Sequence, residues 1–343
     1  MEKMRAVVQH AAFDFRVELV DKPVPGPLEA VIKIEASGIC AGDRIMYEGK
    51  APWGIHDGEI PGHEYVGIIT QTGEGFTEKY GLDVGDRCLA EVQIPCGECY
   101  CCRGGYYNLC DNPNGFLGGG WADYMLLRRG AIVHRVPKSI DKLYAATIEP
   151  LSCGAYAVER AGVGMADTVV VAGMGIIGLA ALQFAKLHTP YRLIALSATD
   201  ASLDIARTFG VDAAINVLKE DASARIRELT GGVGCDVFIE CSGVASSVSI
   251  GLDALKKRGR LAVYGVYTRN GDLNLNEISQ NKELTLIGGH LSPNTMPYVI
   301  RCLEQGLVDP RPMITEVFPL DRFDEAIHIR EKNPDSIKTL LVP

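Results

Sequence analysis

Hydrophobic and polar positions fall into two textures along the chain. Up to about Cys153 the apolar residues come in short runs broken by turns. Val31-Ile32-Lys33-Ile34-Glu35-Ala36 alternates as a half-buried strand does, and Tyr65 to Gln71 is a β-branched run stopped by Gly73-Glu74-Gly75. Val84-Gly85-Asp86-Arg87 turns into Cys88 to Val92, and Met1 to Gln9 reads as a charged turn leading into a short strand at Arg5–Gln9. Turns this frequent predict a rolled, barrel-like β domain. From Leu151 to Gly164 the spacing becomes helical, and a strand–helix rhythm follows. It predicts strands at 168–172, 192–196, 213–216, 237–240, 260–264 and 284–288, with helices over 176–187, 202–209 and 223–230. Alternation of this kind predicts a parallel sheet covered on both faces. Beyond His290 the pattern gives a helix over 296–305, an extended segment over 313–318 and a helix over 323–330, expected to return to the first domain. The fold class is therefore α/β: a β-rich domain from 1–152 and 289–343, and a doubly wound parallel-sheet domain from 153–288.

Length and charge narrow the function classes. The 343 residues suffice for two ordinary domains. Against 34 basic side chains stand 43 acidic ones, a formal charge of −9, which argues against a nucleic-acid surface. Thr168 to Ala185 is apolar, but its glycines and its strand–turn–helix division argue against a membrane span, and the start carries no signal-peptide pattern. Eleven cysteines, five of them within 96–110, fit metal binding in the cytoplasm better than a secreted disulfide scaffold.

The glycines and cysteines carry the candidate chemistry. Gly173-Met174-Gly175-Ile176-Ile177-Gly178 follows an apolar strand and opens a helix, the context a dinucleotide fingerprint requires. Gly173 would make the tight turn, Gly175 would admit a pyrophosphate, and Gly178 would let helix and strand pack closely. An acid that holds the ribose 2′-OH of NAD is expected near Ser197. Ser197 cannot repel a 2′-phosphate, and no arginine follows to grip one, so NAD is expected by a narrow margin with NADP tolerated. Asp200 is read either as a substitute acid or as the cap of a helix beginning at Ser202. Cys96, Cys99, Cys102 and Cys110 are spaced to close a tetrahedral, structural zinc, with Cys101 to spare. Cys40, His63, Glu64 and Glu149 form a dispersed second set. It has too few tight ligands to close a site, and it would leave a position open for chemistry.

Through Gly38-Ile39-Cys40, Gly62-His63-Glu64, the four-cysteine lobe and the glycine loop, the chain resembles the medium-chain, zinc-dependent alcohol dehydrogenases over essentially its full length. The resemblance implies a GroES-like catalytic domain carrying two zincs and a Rossmann domain carrying the nucleotide. Cys40, His63 and Glu64 match the family's metal positions, and Asp43 matches the acid that orients the ligating histidine. Ile148-Glu149-Pro150-Leu151-Ser152 looks like the sorbitol (polyol) dehydrogenase branch, where the matching glutamate belongs to the catalytic zinc environment. Cys40-Ala41-Gly42-Asp43 with Trp53-Gly54 is faintly similar to dehydrogenases of four-carbon polyols such as erythritol and threitol. Gly42 departs from the family's Ser or Thr, and Ile45 from a common His, so the ordinary proton relay is missing. Tyr47, His56 and His290 are candidate proton acceptors, and Trp53, Phe116 and Leu291 candidate pocket residues.

The expected activity is oxidation of a secondary hydroxyl of a small polyol to a ketone. Zinc would act as a Lewis acid on the hydroxyl, and the hydride would pass to the nicotinamide. An amino-alcohol dehydrogenase of the threonine 3-dehydrogenase type is one alternative, and a non-catalytic zinc and nucleotide module is another. The family usually forms homodimers or homotetramers.

Overall fold

The computed structural model describes residues 2–343. Met1, at the head of the first predicted segment, lies outside the described residues. In chain order the strands are β1 (Lys3–Ala11), β2 (Asp14–Asp21), β3 (Ala30–Ile39), β4 (Glu64–Thr72), β5 (Arg87–Ala90), β6 (Gln93–Ile94), β7 (Gly115–Phe116), β8 (Tyr124–Leu127), β9 (Val133–Arg135), β10 (Thr168–Ala172), β11 (Arg192–Ser197), β12 (Ala213–Asn216), β13 (Cys235–Glu240), β14 (Leu255–Val263), β15 (Thr285–Gly288), β16 (Ile314–Pro319) and β17 (Lys338–Val342). No helix among the described residues is long and apolar enough to cross a membrane.

The chain divides into two compact units. One comprises Met1–Glu149, Met296–Gly306 and Ile314–Pro343, and the other comprises Pro150–Thr295 and Leu307–Met313. Residues 150–152, 289–295 and 307–313, expected with the first unit, group with the second. There Thr295 Oγ1 donates to Ser152 O at 3.2 Å, and Asp309 N donates to Gln183 Oε1 at 2.6 Å.

The first unit is built around β3. This strand pairs antiparallel with β4, β8 and β17 in a sheet ordered β16-β17-β3-β4-β5-β9. Register shifts at Val31/Ile32 and Ile34/Ala36 bend the β3–β4 pair, as the insertion of a bulge does. Val7, Trp121, Phe323 and Leu341 bury together on one side. The register matters most at the end of β3, where Gly38 pairs with Glu64 and Ile39 pairs with Thr339. Because the β3–β4 pair is antiparallel, the residue after β3 (Cys40) comes beside the residue before β4 (His63). Lys338, at the head of β17, comes to the same end.

The second unit holds a parallel sheet ordered β12-β11-β10-β13-β14-β15. Thr168-Val169-Val170-Val171-Ala172 is buried at every position, which suits a central strand covered on both faces. Numbered within the sheet, the order is 3-2-1-4-5-6. The turn after β10 therefore sits at the topological switch point where dinucleotides bind.

Some elements differ from the sequence reading. β14 begins at Leu255, five residues early, because it runs on directly from the helix Ala245–Ala254. The helix expected over 323–330 breaks into Phe323–Ile327 and Ile329–Lys332 at His328, whose Nδ1 lies 2.7 Å from Asp324 O. A helix Ala41–Tyr47, not anticipated, follows Cys40 directly.

Candidate metal centres and nucleotide site

Cys40, His63 and Glu64 each offer a ligand atom, and these atoms lie within 4.8 Å of one another. The local fold explains the convergence. A Cβ at Gly38 would overlap the Glu64 carboxylate across the β3–β4 pair, so only glycine leaves that carboxylate room. Gly62 has φ +93°, and a Cβ there would overlap the Trp121 ring. Trp121 in turn donates its indole N–H to Gly38 O at 3.0 Å, tying both glycine segments to one buried ring.

Asp43 braces two of the three. Its Oδ2 accepts the Cys40 backbone N–H at 2.8 Å, and its Oδ1 lies 3.4 Å from His63 Nδ1. A ring held at Nδ1 leaves Nε2 for a metal. Burial pulls the His63 imidazole down, but the charge and hydrogen bond of Asp43, with those of Cys40, outweigh it and hold the ring well above its ordinary value.

Lys338 was missed by the sequence reading. Its Nζ donates to Glu64 Oε2 at 2.6 Å, Glu64 Oε1 at 2.8 Å and Ile39 O at 3.1 Å, with both side chains 1% exposed. Burial pushes the ammonium down, but the charges of Glu64, Cys40 and Glu149 and the bonds to Glu64 more than offset this. Glu149, expected with the metal set, is not among the three clustered ligands. It is buried at the first turn of the helix Ile148–Ala161, and its charge acts on Lys338.

The cysteine lobe gives a direct test of fit. A tetrahedral zinc with Zn–S near 2.3 Å places its sulfurs about 3.8 Å apart. Cys96 and Cys102 Sγ are 3.8 Å apart, and Cys99 and Cys110 Sγ are 3.9 Å apart. Backbone N–H groups of Cys99, Cys102 and Cys96 point at the sulfurs of Cys96, Cys99 and Cys110 at 3.3–3.4 Å, as suits thiolates. Cys101 stands outside the cluster.

At the glycine loop each glycine has its own reason. Gly173 has φ +92°, and a Cβ there would come within 2.6 Å of the Ser242 backbone. Gly178 packs so closely on Gly173 O that a Cβ would overlap it. Gly175 has open space where its Cβ would be, at the N-cap of the helix Ile176–Leu187. The one unobstructed glycine is the one beside which a diphosphate would approach the free N–H groups.

Comparison with known proteins agrees with this arrangement. Residues 26–138 match the alcohol dehydrogenase GroES-like domain, and residues 177–305 match the zinc-binding dehydrogenase domain. The chain is 40% identical to an erythritol/L-threitol dehydrogenase of Mycolicibacterium smegmatis, over 100% of this chain and 98% of that one. The chain belongs to the zinc-dependent alcohol dehydrogenases. Within this family it is also 35% identical to a sorbitol dehydrogenase of Halalkalibacterium halodurans, over 99% of each. A putative zinc-binding dehydrogenase of Sinorhizobium meliloti bound to NADP has the same fold, with TM-score 0.92 and 28% identity over 100% of both chains.

For a dehydrogenase of this family, the remaining sequence candidates divide. Tyr47 is engaged by neighbours on its own side of the unit. Its hydroxyl lies 3.3 Å from His328 Nε2 and donates to Phe13 O at 3.4 Å, and its buried ring packs edge-on against Phe13, Phe15 and His328. His56, His290 and Phe116 are exposed. Trp53 is half exposed, and its ring would be 3.7 Å from a Cβ at Gly42, which would also be 3.8 Å from Cys40 Sγ. Trp53 is thus the pocket candidate that lies beside the Cys40 cluster. Asp200 proves not to be the cap. The helix Asp200–Thr208 starts two residues earlier than expected, and its N-cap, Thr199, makes no side-chain cap bond. Asp200 instead pairs with Lys219 and accepts from Asn216 Nδ2 at 2.8 Å.

Proposed function

We propose that this chain oxidises a secondary hydroxyl of a small polyol to a ketone, using two zincs per subunit and a nicotinamide dinucleotide. The observation that carries the reading is the Cys40–His63–Glu64 cluster braced by Asp43. It is supported by full-length similarity to an erythritol/L-threitol dehydrogenase. When bound at this cluster, zinc supplies Lewis acidity to the substrate hydroxyl and the nicotinamide accepts the hydride.

The chain's own residues do the rest. Cys40 and His63 are the fixed ligands in this reading. Asp43 keeps the His63 ring turned so that Nε2 is available. Glu64 is an exchangeable ligand that Lys338 retains when it is off the ion, and Glu149 contributes negative charge near Lys338. Cys96, Cys99, Cys102 and Cys110 hold the structural zinc. Gly173, Gly175, Ile176, Ile177 and Gly178 form the diphosphate turn, and Ser197 faces the choice between NAD and NADP, with NAD narrowly preferred. Position 42 carries no hydroxyl, so the substrate proton leaves through water beside Gly42 and Trp53. The cysteine usage extends the reading to the cytoplasm, and the resemblance extends it to a homodimer or homotetramer.

A rate panel of three- to six-carbon polyols and L-threonine, followed by nicotinamide absorbance with each cofactor, tests the proposal. A four-carbon polyol should give the highest kcat/KM. Turnover of L-threonine above every polyol would overturn the substrate class, and no turnover of any alcohol would overturn the activity.

A further inference from the structure

The loop after β11 holds an arrangement that the diphosphate turn does not explain. Three hydroxyls are linked there. Ser197 Oγ and Ser202 Oγ are 2.7 Å apart, Thr199 Oγ1 and Ser202 Oγ are 2.8 Å apart, and the Thr199 backbone N–H donates to Ser197 Oγ at 3.3 Å. Asp200, the acid of this loop, is turned toward the neighbouring strand's end. Its Oδ2 pairs with Lys219 Nζ at 2.5 Å, and its Oδ1 accepts from Asn216 Nδ2 at 2.8 Å. The pairing follows from the topology. Asn216 lies opposite Ser197 in the β11–β12 register, and Lys219 sits in the turn that follows, its backbone N–H donating to Asn216 O at 3.0 Å. Arg207 adds an attraction for Asp200 but is itself bonded to Asp204.

The chemistry of this loop differs from both usual solutions. A carboxylate at the strand end holds a ribose 2′-OH and repels a 2′-phosphate, whereas a nearby arginine receives that phosphate. Here the strand end is the neutral Ser197, and the local acid is neutralised by a lysine. Asp200 and Lys219 are more than half exposed, so their bond is weak and salt-sensitive and is readily exchanged for a stronger one. A phosphate dianion offers the ammonium more charge and more acceptor oxygens than a carboxylate does.

We infer that Asp200 and Lys219 form a charge latch that sets the NADP-to-NAD preference. Lys219 leaves Asp200 to meet the 2′-phosphate of NADP, while the Ser197 and Thr199 hydroxyls serve the ribose of either cofactor. Lys219 is therefore a specificity-determining residue 22 positions beyond the strand end at Ser197. Asp200 acts through it, by competing for its charge. This inference rests on the reading that the glycine loop binds a nicotinamide dinucleotide.

The test is the ratio of NADPH to NADH affinity, measured by fluorescence titration of the full-length, zinc-loaded enzyme and its variants. Lys219→Met should lower the ratio about fivefold, the scale of one exposed charge-assisted bond. Asp200→Asn should raise it, because Lys219 is then uncommitted. The effect of Lys219 on NADPH should also shrink as salt rises. A ratio within twofold of the parent in both variants, or a fall in Asp200→Asn, would overturn the latch. If the parent enzyme binds neither dinucleotide, the underlying cofactor reading fails, and that result is distinct from an unmoved ratio.

Discussion

Replacing Lys338 with methionine removes the buried ammonium that bonds the Glu64 carboxylate. The lysine makes three bonds, two to the Glu64 carboxylate and one to Ile39 O, at 1% exposure on both sides. Methionine fills much of the same volume, so packing is largely kept and the loss is electrostatic. Leaving a buried carboxylate without its partner costs about 3–5 kcal/mol. The cost should depend on zinc. With the ion at Cys40 and His63, Glu64 has a second cation to turn to. Without it, Glu64 must lose its charge or break the β3–β4 packing. Urea unfolding of the variant should therefore show the full loss after the Cys40-site ion is stripped, and less than about half of it with that ion bound. Adding Glu64→Gln to Lys338→Met should restore part of the stability, since the pair is coupled. A loss below about 1 kcal/mol in both metal states, or strict additivity of the two substitutions, would refute the reasoning.

Three further outcomes follow from the geometry. Gly38→Ala should release Glu64 from its place against β3 and weaken zinc retention at the Cys40 site while sparing the cysteine lobe; metal analysis during dialysis would read this. Asp43→Asn keeps the shape but removes the charge that faces His63, so it should lower kcat by about 10–100-fold, the scale of losing an outer-shell partner, and speed loss of one zinc only. Cys102→Ser should leave one zinc per chain and Cys101→Ser two; the reverse pattern would move the ligand assignment by one position.

The parts of the site that were legible in the sequence are those whose residues are neighbours in the chain. Cys96, Cys99, Cys102 and Cys110 wrap one point because a short loop brings them there, and Gly173, Gly175 and Gly178 act within one turn. Cys40 and His63 carry no spacing code, because the register of β3 on β4 brings them together, and resemblance rather than pattern pointed to them. Lys338 was invisible for the same reason, being 274 residues from the carboxylate it holds. A lysine at the head of Lys338-Thr339-Leu340-Leu341-Val342, a strand otherwise almost wholly buried, was the available signal. The cap reading of Asp200 failed because its partners come from the end of the next strand and the turn after it, which local capping rules do not see. Most of the α/β rhythm was legible to within two residues, since apolar strands and glycine-ended helices are local patterns, but the helix Ala245–Ala254 was not anticipated and the start of β14 was placed five residues late. The rolled first unit was read only in outline, because its pairings are distant in sequence.

The central claim is that one divalent ion sits at Cys40 and His63 with an exchangeable position beside Glu64, and a second sits in the cysteine lobe. Anomalous scattering at the zinc edge, from crystals of the full chain grown with zinc, tests it most directly. Two peaks per chain are expected, one about 2.3 Å from Cys40 Sγ and about 2.0–2.1 Å from a His63 ring nitrogen, the other equidistant from four sulfurs. A single peak in the lobe, with Cys40 and His63 turned away from each other, would contradict the account.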